Sequence, residues 1–215
     1  LDAVQLYRKA GRHMDAAKIL ASVAEEEGKN NQDCMLAKKL YVMSALEVEE
    51  NRKKMLDDNL LSAQQSTVQT LQGLLTEDMS VAGTRSLDNP WHGAEAFHFF
   101  MLAQRQMYEN KMHDAMKTAA RLREYDDVLP ARIVYSLLAL AAYHTSCYRQ
   151  SSRAFIKLES LEDLDPQERA KYETLAVQIF TKHPPDDLNL QTKEVQCPRC
   201  NHMSPDWSPS CSSCG

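Results

Sequence analysis

Gly11-Arg12-His13-Met14-Asp15-Ala16-Ala17-Lys18 and Asn110-Lys111-Met112-His113-Asp114-Ala115-Met116-Lys117 are one pattern written twice. Each opens on a residue type that accepts left-handed backbone at low cost, and each places a pair of small or slender side chains one turn into the helix that follows. Apolar residues at Val4, Leu6, Tyr7 and Ala10 precede the first turn, and Ala94 to Tyr108 precedes the second, so both are turns of helix hairpins. The second turn is Glu109-Asn110-Lys111, followed by a helix expected over 112–125. A looser third copy runs from Ile133 to Tyr143, turns around Ser146 to Gln150, and continues from Ser152 to Leu161, with Ala154-Phe155-Ile156-Lys157 in the place of the paired small residues. Asp165-Pro166 then supplies an N-cap and a first-turn proline for a last helix from about Pro166 to Lys182. Hairpins recurring in register at roughly tetratricopeptide length point to an α-solenoid, because one pair cannot bury its apolar face alone. An ordinary helical bundle is the alternative.

Between the first two hairpins, Asp33 to Glu49 and Asp57 to Leu75 read as two longer helices, with a break near Asp57-Asp58-Asn59, and Met79 to Pro90 reads as a loop. Pro184-Pro185-Asp186-Asp187 ends the last helix and begins a linker. The expected organisation is therefore helical repeats over 1–80, a loop over 81–93, tetratricopeptide-like repeats over 94–183, a linker over 184–192 and a small module over 193–215. The fold class is all-α, closed by a zinc-ribbon-like four-cysteine module.

That module holds the chain's most specific chemistry. Cys197-Pro198-Arg199-Cys200 and Cys211-Ser212-Ser213-Cys214 are two Cys-x-x-Cys pairs with ten residues between them. Each pair presents two sulfurs from one tight turn, and four thiolates make the tetrahedral cage that zinc prefers. Cys197, Cys200, Cys211 and Cys214 are the expected ligands of a structural zinc ion, since four cysteines leave no open position for catalytic water. Two disulfides, or an iron site in the same cage, are the alternatives; disulfides would need an oxidising compartment, and no signal peptide is visible. His202 could stand in for one sulfur, but a solvated neighbour is the commoner role. Asn201 and Gly215 follow the knuckles and suit their sharp turns. Trp207 is the residue expected to pack over the cluster, with Met203, Pro205 and Pro209 as further apolar cover. Charges in the module cancel, and a zinc with four thiolates adds negative charge, which opposes phosphate binding.

Composition agrees with helices: 43% of residues are hydrophobic, with only 6 Gly and 8 Pro in 215. A net charge of -5 speaks against nucleic acid or an anionic membrane as the partner of the body. No run approaches the ~18 apolar residues a membrane span needs. The chain begins with Leu1 inside a helical pattern and reads as a piece of something longer. Cys34 and Cys147 sit on helical apolar patterns and are expected to be buried thiols. Catalytic motifs are missing from the sequence: it has no Gly-rich phosphate loop, no nucleophile elbow and no His-Glu-x-x-His pair. His144 and Cys147 lie one helical turn apart and could be drawn as a dyad, although such a face is more often core or interface. His92, His98 and His113 read as packing or capping residues, and Asp126-Asp127 as a solvated helix end.

Asn89-Pro90-Trp91-His92-Gly93-Ala94-Glu95-Ala96-Phe97-His98-Phe99-Phe100, then Leu102-Ala103-Gln104-Arg105-Gln106, resembles the WD repeat-containing protein 35 family of intraflagellar transport complex A subunits. Tyr135-Ser136-Leu137-Leu138-Ala139-Leu140, Lys157-Leu158-Glu159-Ser160-Leu161 and Ala176-Val177-Gln178-Ile179-Phe180-Thr181-Lys182-His183 continue it in order; over the first 80 residues the likeness is generic. The resemblance implies the carboxyl end of a protein whose other part carries β-propellers, and no enzymatic activity. It implies a scaffold role in retrograde ciliary transport and in the entry of membrane proteins into the cilium, at the axoneme and basal body and in the cytoplasm. Its partners would be other complex A subunits directly, and ciliary membrane-protein cargo or adaptors indirectly, with no nucleic acid and no membrane span. The family's terminal cysteine pairs are spaced more widely and variably than these two. A sister complex A subunit shares the layout, and a coatomer-like coat subunit shares the propeller-and-solenoid plan. A ubiquitin-ligase module would need a second, interleaved ligand set that the sequence lacks. Phe97, Phe99, Phe100, Tyr108 and Tyr148 are the aromatics to watch: most should fill repeat junctions, and one or two could reach a partner.

Overall fold

A computed structural model describes residues 2–30, 33–62, 89–162, 164–185, 194–205, 208 and 210–214. Among the described residues the chain is all-α except for one short hairpin: α1 (Asp2–Lys9), α2 (His13–Asn30), α3 (Cys34–Ser62), α4 (His92–Tyr108), α5 (Met112–Arg121), a 3₁₀ helix (Leu122–Tyr125), α6 (Ala131–His144), α7 (Tyr148–Glu159), α8 (Pro166–Lys182), β1 (Glu194–Gln196) and β2 (Met203–Pro205). It divides into two compact units, Leu1–Phe97 and His98–Gly215.

The repeated turn is the same physical object three times. Gly11 (φ 74°), Asn110 (φ 61°) and Ser146 (φ 58°) all take left-handed backbone. Around each, the same two amide bonds close the preceding helix: Arg12 N–H to Tyr7 C=O and Gly11 N–H to Arg8 C=O, Lys111 to Gln106 and Asn110 to Met107, Cys147 to Ala142 and Ser146 to Tyr143. This is the Schellman closure, in which a left-handed residue lets two amides satisfy carbonyls the helix end would leave unpaired. The small-residue register also holds. It does so in two copies, where Ala16 and Ala17, and Ala115 and Met116, stand buried five and six residues past the left-handed turn; in the third that place falls on Ser151, fully buried, and Ser152, not on the expected Ala154 and Phe155, which are buried one turn further on.

In the first unit α2 packs along α3, and the small side chains at the crossing let Ser44 Oγ donate to the Ala17 carbonyl at 2.9 Å. Ala17 and Val48 form a buried cluster under Met14. Phe97 is 1% exposed and stacks on Tyr41, centroids 5.9 Å apart. It fills the space a side chain at Gly28 would need: a Cβ there would lie 2.5 Å from the ring. A polar group joins α1, α2 and α3, and nothing in the sequence pattern advertises it. The Glu47 carboxylate, 7% exposed, pairs with Arg8 and accepts from His13 Nδ1 at 2.9 Å, while Lys54 Nζ lies 2.6 Å from His13 Nε2. A buried carboxylate persists only with such partners.

The expected break near Asp57-Asp58-Asn59 is not there, because α3 continues from Cys34 to Ser62. No Gly or Pro interrupts that span, and Asp and Asn lower helix propensity by only tenths of a kcal/mol each. Glu49–Arg52 and Glu50–Lys53 pairs line its exposed face, and Asp33 Oδ1 caps its start by accepting from the Leu36 amide at 2.9 Å. The remainder of the expected helix to Leu75, most of the loop from Met79, and the linker from Asp186 lie outside the described residues.

In the second unit the helix expected to Tyr125 becomes 3₁₀ after Arg121, with Arg123 Nε donating to the Ala120 carbonyl in the tightened turn. α7 starts at Tyr148 rather than Ser152, since the closure at Ser146 leaves nothing to delay it. α8 has the expected bounds; Asp165 stands at its N-cap position without a side-chain cap bond, its carbonyl accepting from Arg169 N–H. Leu138, Ala139, Ala154, Phe155, Leu158 and Ala176 form the core with Ala119 and Ala120, and Ser151, fully buried, donates to the Ala139 carbonyl at 3.1 Å.

Candidate metal centre

The cysteine pairs meet on a two-stranded antiparallel hairpin. β1 and β2 pair Glu194 with Pro205, Val195 with Ser204 and Gln196 with Met203. The turn between them is the first knuckle. Cys197 N–H donates to the His202 carbonyl and Asn201 N–H to the Cys197 carbonyl, both at 2.9 Å, with Asn201 at φ 58° as its residue type suggested. The second knuckle, Cys211 to Cys214, folds back so that all four Sγ atoms lie within 4.8 Å of one another.

Two of those separations test the fit of a cation. Cys197 Sγ is 3.7 Å from Cys214 Sγ, and Cys200 Sγ is 3.5 Å from Cys211 Sγ. A tetrahedron with zinc–sulfur bonds of ~2.3 Å has edges of about 3.8 Å. The distances match ligands around one centre, and all six cysteines of the chain are free thiols. Four sulfurs of this spacing could hold one metal ion.

The electrostatics favour a thiolate at one sulfur of each knuckle. Backbone amides of Ser213 and Cys214, then the Ser204 hydroxyl, hold the Cys211 thiol down at about 6. The Ser213 amide is 3.4 Å from the Cys211 sulfur and the Ser204 hydroxyl 3.7 Å. Amides of Cys200 and Arg199 lower Cys197 in the same way. Cys214 goes the other way, to about 12, because it holds the shared proton against the sulfurs of Cys200 and Cys197. A cation at the centre would take the place of such protons. Amide-to-sulfur bonds of this kind orient ligands and tune a site.

Ser204 is the site residue that the sequence did not announce; alternation in β2 is the one hint, and three residues of strand are too few to read. His202 is exposed and stands outside the four-sulfur group. Trp207, expected to cover the cluster, lies outside the described residues with Asp206, Pro209 and Gly215, while Met203 is 48% exposed.

The other flagged residues fall as follows. Cys34 and Cys147 are half-buried rather than buried: Cys34 opens α3, where only one side is covered, and burial still pushes its thiol up. Cys147 points its sulfur at the Thr145 carbonyl, 3.7 Å away, while the His144 ring lies edge-on to Tyr143; no hydrogen bond joins His144 to Cys147 among the described residues. Phe97 and Phe100 are buried, Phe99 sits under the Arg121 guanidinium at 4.7 Å, and Tyr148 stacks on His183 at 4.6 Å. Tyr108 is 94% exposed. No helix among the described residues is long and apolar enough to cross a membrane.

Two family models match the chain: one described as "IFT121-like, TPR repeats" over residues 88–187, and one described as "WD repeat-containing protein 35, TPR repeats" over residues 1–50. The likeness thus reaches the first helices as well. WD repeat-containing protein 35 of rat is 46% identical over 210 residues, covering 93% of this chain and 18% of the relative. The mouse and human proteins are 46% and 44% identical over the same shares. The chain therefore spans about a fifth of the length of the curated relatives it matches.

Proposed function

Since the chain belongs to the WD repeat-containing protein 35 family, we propose that it acts as a non-enzymatic scaffold within intraflagellar transport complex A, its helical repeats holding neighbouring subunits. The observation that carries this reading is 44–46% identity over 210 residues, 93% of the chain. The roles that follow are retrograde ciliary transport and the entry of membrane proteins into the cilium, at the axoneme and basal body, with cargo reached through adaptors.

The repeats give a rigid frame, because each hairpin closes by the same turn and buries its small residues against the next helix. Residues 94–183 form the repeat array in this reading, and residues 193–215 are a zinc module. Zinc bound by Cys197, Cys200, Cys211 and Cys214 would supply a crosslink between the two knuckles; with four protein ligands its role is structural. The module then serves as a folded end or a contact, not as a reaction centre.

The test is co-purification from ciliated cells of a tagged intact chain and of a version cut before Lys193. The intact chain should bring down complex A subunits, and their absence would overturn the assembly reading. Equal recovery with the cut version would remove the module from the contact.

A further inference from the structure

We propose that the groove between the 3₁₀ helix Leu122–Tyr125, α6 and α7 binds an acidic segment of a partner protein through Arg123, Arg153 and Lys157. The cavity measures about 300 Å³, and its lining includes those three cations and no carboxylate. Its floor is apolar, with Leu138 buried and Tyr135 half-buried, and Ile156 stands at its rim 60% exposed. The groove thus offers apolar surface and three positive charges together.

Three observations select an acidic occupant. Arg149, Arg153 and Lys157 follow at four-residue intervals along α7, so they share one face, and the only acid of that helix, Glu159, comes at its end. Some surface cations are paired, as at Arg12–Asp15, Arg105–Glu109 and Arg132–Glu168, whereas Arg153 and Lys157 have no ion pair among the described residues and are free to meet a partner's acids. The chain as a whole is acidic, at -5, so a local cluster of cations at Arg123, Arg153 and Lys157 runs against the global balance. Electrostatic complementarity of that kind selects partners and speeds encounter more than it adds raw affinity. Nucleic acid fits less well, since a duplex or strand needs a basic track rather than three cations around one small groove.

The proposal rests on the protein-binding reading above only in taking the occupant to be a protein, and defined probes separate the two. The intact chain is titrated into a fluorescein-labelled peptide of glutamates with leucines at helical spacing, and into the same peptide with glutamine in place of glutamate. Saturable binding of the acidic peptide, weakened by added salt, is expected. Affinity should fall about tenfold in Arg153→Glu/Lys157→Glu. The neutral pair Arg153→Gln/Lys157→Gln should fall part of the way, Arg153→Lys should retain binding, and Ile156→Ser should weaken it; all these sites are exposed, and circular dichroism checks their folding. Equal binding of the glutamine peptide, no saturable binding, or binding untouched by the double reversal would overturn the proposal. So would tighter binding to phosphatidylserine vesicles or to a single-stranded oligonucleotide than to the peptide. Acidic-peptide binding that persists in a chain failing to co-purify with complex A would uphold the groove and refute the assembly reading alone.

Discussion

Removing a ligand from the four-cysteine cage should unfold the module and leave the helices standing. No described residue between 194 and 214 is buried; Val195 and Met203, the larger apolar side chains among those described, stay 55% and 48% exposed. Half-burying each contributes about 1 kcal/mol, whereas ordering each residue of a hairpin costs about 1–2 kcal/mol. Two three-residue strands cannot cover that difference. Structural zinc sites supply about 10–16 kcal/mol, and among the described residues nothing else is of sufficient size. Cys211→Ser removes the sulfur that the Ser213 and Cys214 amides and the Ser204 hydroxyl hold well below the ordinary thiol range. If each ligand carries about a quarter of the total, the loss is roughly 3–4 kcal/mol, or 10²–10³ in metal affinity. The assay is a competition titration with a chelator, read alongside metal content and far-ultraviolet circular dichroism. The wild-type chain should hold one zinc, Cys211→Ser should release it at much lower chelator, and helical ellipticity should stay constant because the repeat cores are complete in themselves. A purified chain with no zinc, or a Cys211→Ser chain with unchanged affinity, would refute the reasoning. Loss of helical signal on chelation would refute the independence of the two parts.

Other outcomes follow from single residues. Leu158→Ala empties a fully buried position in the core of the second unit and should cost about 3–5 kcal/mol in a denaturant titration, with the slope unchanged. Ser146→Gly should stabilise by about 0.5–1 kcal/mol, since serine at φ 58° carries a steric penalty glycine lacks, and Ser146→Val should destabilise. The Glu109 carboxyl, held at about 2 first by the Lys111 hydrogen bond and then by Arg105, should titrate well below ordinary glutamates by nuclear magnetic resonance, and Lys111→Ala should raise it. A depressed carboxyl stabilises above its unfolded value and loses that as pH falls toward 2; Glu109 lies on the exposed surface and is screened by solvent, so the melting temperature should barely register the change.

The turns and the cage were the legible parts of the sequence, and for a shared reason. Both are local: a left-handed residue, two small neighbours or a Cys-x-x-Cys pair states its geometry within a few positions. Gly11, Asn110 and Asn201 all take the backbone their residue types suggest, and Ser146, a weaker marker, follows because the repeat demands it. Helix limits were less legible because they depend on what is absent. Asp57-Asp58-Asn59 looks like a break only if local propensity decides, and α3 runs through it. The Arg8, His13, Glu47 and Lys54 group was invisible because its members are 34 to 41 residues apart across the α2–α3 packing, and polar residues on a helix face read as solvent-facing. Ser204 was missed for the same reason, its role resting on a fold-back seven residues away.

The two kinds of stability bear on how such a scaffold can work. In the repeats, order comes from apolar contacts between successive hairpins, so a perturbation in one helix is felt by its neighbours. In the proposed zinc module, whose described residues include none that is buried, order would depend on one ion held by the four sulfurs. A surface such as the Arg123, Arg153 and Lys157 groove, built on two core-forming helices and a 3₁₀ turn, therefore keeps its geometry whether or not metal is present. Binding there should be indifferent to chelator, while any contact made by the module should vanish with the zinc. Partner recovery measured with and without chelator assigns each contact to one of the two surfaces, and a chelator-sensitive groove would mean that the helices and the cage are coupled.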